Sequence, residues 1–479
     1  MKENYDVVII GAGPAGLYTA YGLVQQNSKL NIIIIEKGNS IEKRVCPAIK
    51  NKTNCVRCKT CSIMDGEGGA GAFSDGKFPI TNDFGGNLWE KIGNDKALEL
   101  MRTVDKCNEN FFKQYSKREK KNLEFPRLYT SKDSFFKKIC TQHNLHLLDA
   151  DIRHLGTDYG QVIYKELINF LKAHNVEILT NTEVSSVKVN QDGAKKDCLY
   201  QVETGDFKIF TNQIVVAAGR SGSKWVKDVC KKLKIHTRSN RVDIGVRFEC
   251  PDEIWNHVTK DLYESKITYR TKTYEDLVRT FCMNPSGAVV TENTNGGITV
   301  NGHSFEDAAL KTNNTNFALL VSKTFTEPFD DSSEYGEAII KLSNMLGGGV
   351  IVQRYGDLIR GKRSTKSRIA ENTVLPTLNA EPGDLSLVLP KRILDDIIEM
   401  IQALDHLVPG MVNDDNLLYG VECKFYNNTV DVDEHLRAKG LEGLYFIGDG
   451  SGWTHSLSQS SASGLYVAEQ IAGENGIII

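Results

Sequence analysis

Residues 5–37 read YDVVIIGAGPAGLYTAYGLVQQNSKLNIIIIEK, and this stretch leaves little choice about what forms around it. Two short runs of β-branched residues flank a segment whose apolar residues, from Pro14 to Gln26, recur at helical spacing. A strand, a helix and a second strand within about thirty residues make a right-handed crossover unit, which implies a parallel sheet. Between the first strand and the helix lies GAGPAG, Gly11 to Gly16. Gly11 permits the tight turn, and Gly13 lets the backbone approach a pyrophosphate. Gly16 lets the helix pack closely on the sheet, and the helix opens with Pro14 and Ala15 facing the anion. Glu36 stands twenty residues past Gly16, at the end of the second strand. A carboxylate there accepts hydrogen bonds from both hydroxyls of a ribose and repels a 2′-phosphate.

The rest of the chain changes style twice. Ala97 to Phe136 is highly charged with spaced aromatics and reads as helical. GQVIYKELINFLKAHNVEILTNTEVSSVKV reads as a helix and two strands, and NQIVVAAGRSG as a buried strand ending at glycine. From about Arg241 to Cys423 short alternating strands and turns take over, and then GLYFIGDGSGW restores the buried-strand style. One α/β domain is thus laid down in pieces at both ends of the chain, with a second domain inserted between them. The expected boundaries are 1–90, a helical segment 91–145, 146–235, the insert 236–425, and 426–479.

With 58 basic and 61 acidic residues the net charge is −3, which predicts no general affinity for nucleic acid or anionic membrane. No apolar run approaches the roughly 18 residues of a membrane span. The first strand begins too early to leave room for a signal peptide, and the 11 cysteines are an odd number. These features lead us to expect a soluble, cytoplasmic chain with free or metal-bound thiols.

GLYFIGDGSG, Gly443 to Gly452, resembles the late Gly-Asp motif of FAD proteins in the glutathione-reductase and hydroxybenzoate-hydroxylase superfamily. VVAAGRSG resembles the middle strand of the same superfamily. The resemblance implies FAD rather than NAD, with Asp449 and Gly448 at the ribityl chain and Ala218, Gly219 and Arg220 as the middle-strand counterparts. A narrower likeness runs along nearly the whole chain. GEGGAGAFSDGKF, RHLGTD at Arg153, FCMNPSG at Phe281, NGHS at Asn301 and GDGSGWTHSLSQSSASG resemble a family of FAD-dependent dehydrogenases of mostly unassigned substrate. This chain has Glu67 where that family's hallmark has an aromatic residue, which puts a charge near the loop. The implied fold class is α/β, a discontinuous FAD-binding Rossmann-like domain with an inserted α+β substrate domain. Lys37, Gly69, Val184, Trp453 and Ser461 join the expected cofactor surround.

Five glycines in the twelve residues Gly66 to Lys77 can bring several backbone N–H groups onto an anion or a flavin edge, with Ser74 and Lys77 adding a hydroxyl and a positive charge. The alternative is a plain surface loop. His455, just past Asp449, suits a proton relay, and Cys282 and Asn284 are candidates from the insert, while packing roles remain open for all three. Arg354, Arg360, Lys362 and Arg363 suit an anionic substrate or form a solvated basic turn.

Cys46, Cys55, Cys58 and Cys61 crowd into sixteen residues, three of them as C-x₂-C-x₂-C. That spacing resembles the cluster-binding run of bacterial ferredoxins, with the Cys-Pro upstream rather than downstream. A [4Fe–4S] cluster, a disulfide or thiol relay, a zinc site and plain structural thiols all fit it. The expected function is an FAD-dependent reductase or dehydrogenase acting on a small organic substrate. Hydride would pass through flavin N5, and electrons would come from a ferredoxin-like donor, from NAD(P)H or from the substrate itself. A flavin monooxygenase and a non-catalytic electron-transfer flavoprotein are the alternatives. AAGRSGS lacks the aspartate of the hydroxylase signature, which counts against the first of these.

Overall fold

The computed structural model describes residues 2–27, 29–51, 56, 58–190, 198–262, 264–294, 297–304, 309 and 311–474. The chain divides into two units, one of residues 1–128, 151–240 and 426–479, the other of 129–150 and 241–425. Residues 129–150 go to the second unit, although the charged stretch around them reads as one helical segment with its neighbours. A 25-residue helix, Asn94–Arg118, ends well before Phe136, and a short second helix, Phe135–Gln142, follows. The strand after it, Leu145–Leu147, pairs with Ile267–Arg270 of the insert, and this pairing fixes the assignment.

The first unit is built on a five-stranded parallel sheet ordered Leu444–Phe446, Gln213–Val216, Val7–Ile10, Ile32–Ile35, Glu177–Leu179. Its two central Val/Ile strands are buried along their whole length, as a sheet covered on both faces requires. Helices Pro14–Gln26, Asn94–Arg118, Gly156–Ala173 and Leu457–Glu474 pack on one another beside it, so the last helix of the chain lies against the first. A three-stranded antiparallel sheet, Lys208–Thr211, Tyr200–Thr204 and Val184–Val189, completes the unit's larger strands.

The second unit centres on an eight-stranded mixed sheet. Its long members, Leu417–Phe425, Val242–Pro251, Asn314–Lys323 and Leu277–Asn284, run antiparallel, and only the short Glu381–Pro382 edge pairs in parallel. Helix Lys391–Asp405 packs its apolar stripe (Ile393, Leu394, Ile397, Met400, Ile401, Leu404) into that unit's core. The fold is therefore mixed α/β, a parallel Rossmann-like sheet plus a separate mixed sheet. Among the described residues no helix is long and apolar enough to cross a membrane.

Candidate functional site

Gly11 has φ +110°, and a Cβ there would lie 2.6 Å from the Ala217 carbonyl oxygen, so only glycine fits this turn. A Cβ on Gly16 would fall 2.0 Å from the oxygen of Gly11, which gives the third glycine its close-packing role. Gly13 is different. It caps the helix at φ −77°, and a Cβ built on it meets only the Gly69 Cα, 3.9 Å away. The space above the second glycine is open, as the passage of a phosphate requires.

Glu36 is buried, and among the described residues no lysine or arginine lies within ion-pair distance of it. Its carboxylate accepts the backbone N–H of Ala12 at 2.8 Å, Gly38 at 2.8 Å and Gly66 at 2.9 Å. A carboxylate has about four acceptor positions, so one remains for a ribose hydroxyl. The expectation that it takes both is narrowed by the two glycine amides that reach it. The glycine-rich segment folds back onto the turn: Gly68 N–H donates to Ala12 C=O at 2.8 Å, and a Cβ on Gly69 would lie 2.9 Å from the Gly13 Cα. This segment is a short 3-10 helix, Gly69–Phe73, rather than an open loop. The Ser74 hydroxyl closes its end on the Gly71 carbonyl at 3.0 Å, and Lys77 lies 3.6 Å from Asp75. Glu67 points inward, accepting from Ile41 N–H and pairing with Lys172 at 3.0 Å. Its charge is thus compensated away from the glycine turn.

The late motif docks on the first helix, where a Cβ on Gly448 would lie 3.0 Å from that of Ala15. Asp449 accepts the Ser460 hydroxyl at 2.9 Å and the Arg220 Nε–H at 3.0 Å. The middle and late motifs are thereby joined through one carboxylate. Gly219, beside Ala218 and Arg220, has nothing within 4 Å of an added Cβ. Lys37 lies 3.2 Å from Asp65, and Val184 is buried at the head of its strand. The Ser461 hydroxyl is wholly buried and has no protein partner among the described residues. Trp453 sits in the core with its indole N–H on the Val430 carbonyl at 2.9 Å and Lys91 over its ring. His455 is half-buried, its backbone N–H on Gly85 C=O and its ring edge-on to Tyr426 at 4.5 Å.

The open space at Gly13 and Gly219, the orphaned Ser461 hydroxyl and the free position on Glu36 fit a dinucleotide with a second, hydroxylated chain. Residues 242–425 match the family model of the C-terminal-domain-like part of FAD-dependent proteins. Residues 9–41 match that of NAD(P)-binding Rossmann-like domains. This is an FAD-dependent protein. An uncharacterized protein of Clostridium beijerinckii is 26% identical over 97% of this chain and 80% of its own length. One of Methanosarcina barkeri is 60% identical over 35 residues, 7% of this chain and 8% of that one. The glycine oxidase of Geobacillus kaustophilus aligns over 98% of this chain and 95% of its own with a TM-score of 0.40 and 12% identity. The L-proline dehydrogenase of P. horikoshii gives 99%, 95%, 0.38 and 12%. At those values neither structure carries an argument about activity.

Cys46 and Cys61 are half-buried, Cys58 is exposed, and Cys55 lies outside the described residues. Among the described residues no three His, Cys, Asp or Glu side chains gather as a metal site.

Cys282 and Asn284 belong to the second unit, at a bulge where Cys282 has φ +48°. Asn284 is wholly buried and donates to the Cys282 carbonyl at 2.9 Å. Both lie beside an arginine that the sequence did not single out. Arg247, wholly buried, forks onto Glu422 at 2.8 and 3.0 Å and also reaches Asn316, Asn301 and the Cys282 carbonyl. The FCMNPSG and NGHS motifs thus meet at one ion pair. Of the basic cluster, Arg354 is committed to Asp415 and Arg360 to Asp414, so two of its four charges are already compensated within the chain.

Proposed function

We propose that the protein is an FAD-dependent oxidoreductase of the reductase or dehydrogenase kind, acting on a small organic substrate. The observation that supports this most is the seating of the glycine-rich segment on the dinucleotide turn, Gly69 against Gly13, with the space above Gly13 left open. When bound, FAD supplies two-electron hydride chemistry; the protein supplies position, a proton and the exclusion of water. Gly11, Gly13 and Gly16 admit the diphosphate, and the amides at the start of helix Pro14–Gln26 face it. Glu36 orients one ribose hydroxyl. Asp449, held by Arg220 and Ser460, accepts from the ribityl hydroxyls. His455, just beyond Asp449, holds the proton exchanged with the substrate on a ring nitrogen.

An anaerobic titration of the purified protein with NADH, NADPH and reduced ferredoxin, followed by flavin bleaching, tests the reading and identifies the electron source. A flavin that none of these reduces would leave the substrate as the donor. Turnover that consumes oxygen and hydroxylates a substrate would replace the proposal with monooxygenation. Metal analysis of anaerobically purified protein decides the cysteine run. About four irons per chain means a cluster, and neither iron nor zinc means thiols alone. His455→Ala should lower turnover by about 10²–10⁴-fold with flavin content unchanged; an unaltered rate and pH profile would leave His455 a packing residue.

A further inference from the structure

Arg44 ties the cysteine run to the cofactor loop, and nothing in its spacing marks it. It stands two positions before Cys46 and is buried, 4% exposed. Its Nε donates to the Ser62 carbonyl at 3.0 Å and its Nη2 to the Ile63 carbonyl at 2.8 Å, both immediately after Cys61. Its Nη1 donates to the carbonyls of Glu67, at 2.6 Å, and Gly69, at 2.8 Å, on the glycine-rich segment. The guanidinium also lies over Phe73, its carbon 4.4 Å from the ring centroid. Burial lowers its pKa to about 10, so it stays charged at neutral pH. Among the described residues no carboxylate lies within ion-pair distance of it. A buried arginine normally answers a carboxylate; this one answers four backbone carbonyls, which makes it a brace between two segments of main chain.

We infer that Arg44 is a positioning residue for the FAD site, setting the glycine-rich segment against the dinucleotide turn and coupling it to the turn at Cys61. The coupling has a second strand. Asp65 accepts the Cys61 N–H at 3.1 Å, pairs with Lys37 at 3.2 Å and accepts the Ser221 hydroxyl next to Arg220. Gly66 N–H then reaches Glu36. Whatever moves the Cys61 turn moves Arg44's carbonyls and, through Gly69, the wall of the phosphate passage beside Gly13. By linkage the reverse holds: bound FAD must restrain Cys61. The inference rests on the flavoprotein reading, and its test separates the two.

Wild-type protein is first stripped of flavin and titrated with FAD; failure to bind would sink the flavoprotein reading itself. Arg44→Gln and Arg44→Lys are then compared with Arg153→Lys, which alters a half-buried arginine whose side chain bonds to Asp105 and the Pro126 carbonyl rather than to the glycine-rich segment. Arg44→Gln should weaken FAD about tenfold or more and shift the flavin absorbance bands, since several hydrogen bonds to the loop go at once. Arg44→Lys should recover only part, because a point charge cannot brace four carbonyls. Arg153→Lys should keep wild-type affinity and spectrum. Mass-mapped alkylation gives an independent reading: FAD should slow iodoacetamide labelling of Cys61 in wild type and cease to do so in Arg44→Gln. Should Arg44→Gln fail to fold, Arg44→Lys and the wild-type labelling experiment still decide. Unchanged FAD affinity and spectrum in folded Arg44 variants, or Cys61 labelling indifferent to FAD in wild type, would overturn the inference.

Discussion

Two sites, one in each unit, hold buried charge in opposite ways. In the first, Glu36 is satisfied by three backbone N–H groups and Arg44 by four backbone carbonyls. In the second, Arg247 is answered by Glu422 and two asparagine side chains, and Glu249 by Tyr419, Thr377 and Asn314. The first arrangement draws main chain in close, and three of its seven backbone partners, Gly38, Gly66 and Gly69, are glycines at which an added Cβ would lie under 3 Å from a neighbour. The second requires only that some polar residue of the right length arrive from another strand. The first leaves part of the charge's hydrogen-bonding capacity open to a ligand. The second closes it within the protein.

The sharpest way to break the contrast is Gly13→Val. The fold should tolerate it, because a Cβ there meets nothing closer than 3.9 Å, while the phosphate passage is filled. The purified variant should be folded by circular dichroism and colourless; full flavin content would mean the phosphate does not pass there.

Next in size is Glu422→Ala, which leaves Arg247 buried without its partner. Breaking such a pair costs about 3–5 kcal/mol, to be read in denaturant unfolding. Replacing both, Arg247→Met with Glu422→Leu, should recover most of that loss. A single variant as stable as wild type would show that the pair is not what organises the second unit.

Asp449→Ala sharpens the first half of the comparison. It removes a charged acceptor and also releases Arg220, so FAD binding should weaken by about 1.5–3 kcal/mol per hydrogen bond lost. An unchanged dissociation constant would detach the late motif from the cofactor.

The smallest effect is one of pH. Asp396, wholly buried, has its carboxyl pushed up to about 6, by burial first and then by Asp276 beside it. Asp276 is lowered to about 2, hydrogen bonds from Arg392 and Lys323 outweighing its burial. The Thr271 hydroxyl donates to Asp396 at 2.8 Å. Because the folded state prefers Asp396 protonated, its stabilising contribution is full below about pH 4 and is lost as pH rises through about 6. Asp396→Asn cannot ionise, so it should unfold at higher temperature than wild type above pH 6, by about 1–2 kcal/mol, with the gain vanishing toward pH 4. A constant difference across that range would remove Asp396 from the titrating set.

The same contrast explains which residues are legible in the sequence and which are not. Gly11, Gly13, Gly16 and Glu36 announce themselves because their spacing is local, with Gly11 and Gly16 dictated by a close approach of main chain and Gly13 by the open space beside it. Gly448 and Asp449, far along the chain, are legible only because they too follow a buried strand. Arg247 is not, since its partners lie 175, 69 and 54 positions away and none occurs in a periodic pattern. Arg44 is hidden for another reason: its partners are carbonyls, which carry no residue identity. The strand Leu145–Leu147 lies in the second unit because of a pairing more than a hundred residues distant, and no local signal encodes that.

On this account the open, glycine-walled passage of the first unit takes FAD. Calorimetric titration of flavin-free protein with FAD, FMN and NAD tests it directly. We expect one FAD per chain, bound noncovalently and far more tightly than FMN or NAD, with Glu36→Ala and Asp449→Ala each weakening FAD. Binding of NAD in preference to FAD, or FAD binding indifferent to both substitutions, would contradict it.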